Sequence, residues 1–265
     1  MPDLMVLRAD AAFMLGERMR RFDPSADRDT ILTQVDAIVL DLQIIAAATL
    51  LVDGNPQNFL LNLCRAAENG RRLLELLRSR GLAPPPARKN EPLVCALAAG
   101  HFTLADAVAA VSATDWQKEE EYEDEFLWAR VLQELARQGS PSRPAMEHLL
   151  APLEEVGRDA YASRCGLARA LLAGDRDAFA EHFTTAWLEY EEQTEKRARS
   201  FATPVTAFAP HRFLWLEGLG LLRLGERVGF QLTDTEYRYC PPLARVPIKA
   251  RYNGDWAIPV QQPRP

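Results

Sequence analysis

Along most of this chain, apolar residues return every three or four positions, and polar residues gather where that pattern breaks. Ile31, Val35, Ile38, Leu42 and Ile45 fall on one face of a helix predicted over residues 27–52. Phe59, Leu63, Ala67 and Leu74 do the same in the next helix, which Asn55 caps, Pro56 opens and Arg80 ends. Arg71, Arg72, Arg78 and Arg80 read as its solvated end. Before both, residues 4–21 form an amphipathic helix. Its Arg18, Arg20 and Arg21 lie where the helix dipole is negative.

Two later segments are more apolar. Phe179, Phe183, Trp187 and Tyr190 recur at steps of four, four and three, which places their rings on one face. Residues 211–228 carry a stripe of Leu214, Gly218, Leu221, Gly225 and Val228, with Leu216 and Leu219 on the side of Arg223 and Arg227. A helix apolar nearly all round is a buried one. Each glycine weakens it by about 1 kcal/mol relative to Ala; a bare Cα that lets a neighbouring helix come close is the simplest reason to keep it.

The breaks set the organisation. Residues 81–92 hold Pro84, Pro85, Pro86 and Pro92, so this segment is extended. It either joins two subdomains or drapes over one body; the reading is a single helical domain over 1–265 with a possible subdomain boundary there. A helix over 93–99 ends at Gly100, and Thr103-x-x-Asp106 resembles a capping box for the next. Thr114-x-x-Gln117 caps a helix opening at Lys118, residues 139–144 turn, and helices fill 145–150 and 153–173. The phrase "apolar helix, Ala-Gly, polar, helix" occurs around Gly100 and again around Gly174. Two copies hint at stacked hairpins but fall short of a solenoid, which needs about three repeats. Beyond Pro242, Pro247, Pro259, Pro263 and Pro265 describe an extended tail, with Trp256 and Ile258 as its anchors. The predicted fold is therefore all-α: a multi-helix array of packed helical hairpins, roughly ten helices, with an extended Pro-rich C-terminal tail.

Composition narrows the function. A 48% apolar fraction over 265 residues supports a packed core. A net charge of −6 argues against direct nucleic-acid binding, which needs a basic face, and favours a basic protein partner. Cys64, Cys95, Cys165 and Cys240 are far apart and form no CxxC pair, so they read as reduced thiols. Residues 1–7 lack a basic leader, and the apolar run over 42–52 is too short to span a bilayer. The expected location is cytoplasmic, away from the membrane.

Glu119, Glu120, Glu121, Glu123, Asp124 and Glu125 are six acids within seven positions. A helix N-terminus accounts for about three of them; the excess either is a solvated helix start or is a binding surface that folding does not require. Glu189 and Glu192 add charge to the aromatic helix. There the rings either face the core, with Glu191 and Glu195 paired to Lys196 and Arg199, or offer hot spots to a basic partner. Glu217 is the carboxylate placed for burial in the apolar helix, as an ion-pair partner or as a general base. His101, His148, His182 and His211 are scattered, and no Glu-x-x-His, Gly-x-Ser-x-Gly or phosphate-binding loop is present. No catalytic residue, cofactor or metal ligand is expected.

Three segments carry a resemblance: Ala186-Trp187-Leu188-Glu189-Tyr190, the run from Leu216 to Leu224, and Glu236-Tyr237-Arg238-Tyr239-Cys240-Pro241-Pro242-Leu243. Together they are similar to the C-terminal half of bacterial immunity protein family forty-nine, found beside polymorphic toxins; Cys240 stands where that family usually has Leu. The resemblance implies an all-helical, non-catalytic protein that binds and neutralises a cognate toxin in the cytoplasm. Because nucleases carry basic substrate surfaces, a nuclease is the first expected target. A helical-hairpin adaptor, favoured by the repeated phrase, and an enzyme with a site built from distant residues are the alternatives.

Overall fold

The structure is a computed structural model and describes residues 3–139, 142–200, 203–232 and 236–255. Eleven α-helices occur in order: α1 Leu4–Arg21, α2 Arg28–Leu51, α3 Pro56–Ser79, α4 Glu91–Ala98, α5 Phe102–Val111, α6 Glu123–Ala136, α7 Arg143–Gly157, α8 Ala162–Ala173, α9 Arg176–Ala198, α10 Val205–Phe213 and α11 Leu216–Arg227. Short 3₁₀ turns lie at Arg158–Ala160 and Pro242–Arg245. The described residues form no strand, only an isolated bridge between Tyr237 and Cys240. The all-α fold stands as expected.

Local chemistry starts the helices. The side chains of Asp3, Asp27, Asn55, Ser142 and Asp175 each accept a backbone N–H of the first turn that has no partner inside the helix. At α5 the cap is His101, whose Nδ1 accepts from the Leu104 N–H at 3.2 Å, rather than the predicted Thr103. Pro56, Pro92 and Pro144 sit in first turns, where a missing N–H leaves nothing unsatisfied.

Short connections fold consecutive helices back on one another from α1 through α9. The array then closes on itself: α11 lies along α4 and also touches α9, while α10 packs on α2. Buried side chains on both sides of the Pro-rich segment join one contiguous cluster. The segment is tied down by Arg28, which donates to the carbonyls of Ala83 and Pro84 at 3.0 Å each, and by a Lys89–Asp36 ion pair. Helix α2 is long and apolar enough to cross a membrane, but 67% of that stretch is buried inside the protein, as in a core helix.

At the centre lies α4. Every residue from Leu93 to Ala99 is buried, so other helices surround it. Two glycines let them approach. A Cβ on Gly70 of α3 would stand 2.3 Å from Pro92 Cγ, and one on Gly220 of α11 would stand 3.0 Å from Leu97 Cβ. The aromatic face of α9 meets the same core: Phe183 lies against Trp215 and Tyr237, and Tyr190 stacks on Trp215 at 5.1 Å. The rings face inward.

Several predicted boundaries move. The helix expected over 211–228 is two, because the Trp215 N–H donates to the Tyr239 carbonyl at 2.8 Å and draws Leu214 and Trp215 out of helical geometry. Pro152 does not split its helix; α7 runs through it and breaks at Arg158, which takes a φ of 46°. Residues 118–122 precede α6, whose helix begins at Glu123; the N–H groups of Glu120 and Glu121 turn back to the Gln117 carbonyl. Glu191 and Glu195 pair with Arg238, each at 3.1 Å, not with Lys196 and Arg199. Arg71 and Arg72 are not a solvated end, since both bind the buried Glu68. In the tail, residues 246–255 are non-helical and Tyr252 packs on the core; the expected anchors Trp256 and Ile258 lie outside the described residues.

Gly70→Ala is expected to lower stability by about 1–3 kcal/mol, because a rigid proline ring must move to admit the methyl. Gly16 of α1 has nothing within 4 Å of its would-be Cβ, so Gly16→Ala should raise stability by up to ~1 kcal/mol through helix propensity alone. Urea midpoints at constant slope measure both. Equal effects would refute close packing at Gly70.

A candidate protein-binding face

The acidic run spans the turn before α6 and the first turn of that helix, and one of its six carboxylates is buried. Glu121 is only 6% exposed. Its carboxylate accepts the backbone N–H of Arg88 at 2.8 Å and of Gln117 at 3.2 Å, and its carbonyl accepts from Trp116 Nε1 at 3.2 Å. That geometry pins the turn to the Pro-rich segment. The expectation that the whole run is dispensable for folding therefore does not hold for Glu121. Glu120 is exposed, with a weak ion pair to Arg28 at 3.4 Å. Glu125 accepts from the Tyr122 N–H at 3.3 Å and stands 3.7 Å from Arg88. Asp124 accepts from the Glu125 N–H at 2.9 Å. Glu119 and Glu123 have no ion-pair partner among the described residues, and between them Tyr122 is 77% exposed.

A second group lies alongside. Glu217 accepts from Arg164 Nε at 3.0 Å and from Trp128 Nε1 at 3.2 Å, so it is an ion-pair partner held between α6, α8 and α11. Glu189 accepts from Ser163 Oγ at 3.0 Å and stands 4.0 Å from Arg164. Burial works against the Arg164 cation, but Glu217, Tyr161 and Glu189 together outweigh it and keep the guanidinium charged. Burial, then the negative field of Asp124 with further contributions from Glu217 and Glu125, pushes the Tyr161 phenol up to about 12. The Trp128–Glu217 hydrogen bond brings α6 beside this group. Two groups far apart in sequence thus meet around Tyr161 and Arg164. Glu192, the next turn of α9, is exposed and has no ion-pair partner among the described residues.

Of the carboxylates in the two groups, Glu119, Glu123 and Glu192 are exposed or half-buried and without an ion-pair partner among the described residues, while Glu120, Asp124, Glu125 and Glu189 are partly engaged by the fold. Such a surface attracts cationic groups and steers a basic protein on approach. Carboxylates more buried than Glu217 occur elsewhere. Asp41 is 4% exposed against Arg18, and Glu68 is 6% exposed against Arg71 and Arg72. The acid inside the apolar run over 38–45 and the arginines three and four places after Glu68 were the signals for these two.

The thiols among the described residues are held in the core. All four cysteines are buried and unpaired by disulfides. Burial pushes the Cys64 and Cys95 thiols up to about 12 and Cys165 to about 11, which keeps them protonated and poor nucleophiles. No group of three or more His, Cys, Asp or Glu among the described residues is placed to hold a metal ion.

Two outcomes follow. Glu121→Ala is expected to cost about 1–3 kcal/mol, since it removes the acceptor of two part-buried N–H donors, whereas Glu119→Ala should stay within about 0.5 kcal/mol; thermal unfolding of both variants checks this. At pH 8 a disulfide reagent should label the native thiols far more slowly than thiols in the urea-unfolded chain. Rapid native labelling of all four would refute their burial.

Comparison with known proteins now adds to this geometry. Neither curated proteins nor solved structures yield a match. The profile of immunity protein 49 matches residues 56–243, from the first turn of α3 into the 3₁₀ turn after Cys240. That span covers most of the chain and contains the acidic turn, α9 and the closing helix α11, leaving α1 and α2 outside. The chain therefore belongs to the immunity protein 49 family.

Proposed function

We propose that this protein binds a cognate bacterial toxin without catalysis and neutralises it by covering a basic functional surface. Family membership implies the toxin partner. The observation that supports this mode is the contact of α6 with the Glu217–Arg164–Glu189 network through Trp128, which brings the helix with the acidic start against those carboxylates. A nuclease is the target class that fits best, since its substrate-binding surface is basic and contacts phosphates. The carboxylates of Glu119, Glu123 and Glu192 would stand in for those phosphates. Neutralisation of such a toxin takes place in the cytoplasm, where its substrate is.

Coexpression with the toxin encoded by the neighbouring gene tests the function: wild-type chain should rescue growth and copurify with the toxin. Failure of both sinks the immunity reading and leaves the helical adaptor. For the face itself, reversing Glu119, Glu123 and Glu192 to Lys should slow association by about tenfold or more at low salt and flatten its salt dependence. An unchanged rate with an intact fold would place the toxin elsewhere.

A further inference from the structure

Against the Pro-rich segment to which Glu121 is bonded lies a cleft of about 250 Å³. Its walls are Val35 and Val39 of α2, Leu73 and Leu74 of α3, and Pro85. This volume is smaller than sites for drug-sized molecules, which run from about 300 Å³; it suits one side chain. The polar groups in it are mostly acceptors. Asp36 is neutralised by Lys89 at 2.5 Å, and Arg88 lies farther out. Glu91 has no ion-pair partner among the described residues. Gln43 is 3% exposed; its amide donates to Cys95 Sγ at 3.3 Å, and its carbonyl oxygen receives no hydrogen bond from the described residues. His211 closes one end, near Arg197.

We propose that this cleft receives the aliphatic stem and cationic head of a lysine or arginine side chain from the toxin, with Glu91 as its counter-charge. The proposal rests on the immunity reading and adds to it a specific anchor. Apolar walls suit the methylene stem of such a side chain, and the exposed Glu91 beside them offers a carboxylate that no cation among the described residues pairs. The acidic turn and the cleft share the Pro-rich segment, since Arg88, whose N–H binds Glu121, directly precedes Lys89 of the cleft wall.

Two arms test it. In the first, N-acetyl-arginine amide is titrated against the full chain by NMR, with N-acetyl-norleucine amide as the neutral control. The arginine probe should shift resonances of Val35, Val39 and Leu73 and the control should not, and Glu91→Gln should abolish the shifts. In the second, Glu91→Gln and the cleft-filling Ala207→Trp, at an exposed position of α10 that lines the cleft, should each weaken toxin binding by about tenfold. Probe shifts elsewhere, or shifts unaffected by Glu91→Gln, overturn the proposal. A toxin that binds wild type and both variants equally overturns it while the immunity reading stands. A toxin that does not bind the wild-type chain sinks both.

Discussion

The fold depends on enclosing one short helix. Helix α4 has no polar face from Leu93 to Ala99, so it has no stable place except inside other helices. Its neighbours must come closer than ordinary side chains allow. Gly70 and Gly220 supply that clearance on opposite partners, one against Pro92 and one against Leu97. The rest follows from this enclosure. With α11 drawn onto α4, the chain's last helix lies beside its fourth, and the helices between them become the wall of a closed array rather than an open row. Trp215 then reaches the rings of α9, and the Arg223 guanidinium, 6% exposed, donates to the Val246 carbonyl at 2.6 Å and holds the following segment down.

Helix existence was legible in the sequence because periodicity and caps are local. Asp27, Asn55 and Asp175 mark starts that need only neighbouring residues, and the inward rings of α9 follow from their spacing alone. Where the reading failed, a distant partner had intervened. Nothing near Trp215 announces that its N–H goes to Tyr239, yet that bond splits one helix into two. Thr103 looked like a better cap than His101 by residue type, but the imidazole was the group that reached Leu104. Of the stripe glycines of α11, Gly218 makes room for the Trp215 ring and Gly225 for Leu232 and the rings of Phe179 and Phe230, while the glycine that admits α4 is Gly220, outside the stripe.

The acidic run shows the same division within a single stretch. Helix-dipole arguments account for Glu123, Asp124 and Glu125 at the start of α6. They say nothing of Glu121, whose partners come from Arg88 and Gln117. Seven adjacent positions therefore hold residues with opposite duties, and composition alone could not separate them. The meeting of α6 with Glu217 and Glu189 was hidden for a similar reason, since it depends on how α8 and α11 pack.

The inward fold of Glu121 also has a consequence for evolution. Because one carboxylate fixes the turn, the outward positions beside it carry little of that duty and can vary more freely. Ordering of the loop is completed at folding, so a partner that docks there loses little extra conformational entropy. Recognition would then reside in the spacing of the rim charges more than in their number. Under the proposed function, such a chain would exchange one partner for another by changing Glu119 or Glu123 while the turn fixed by Glu121 stays as it is.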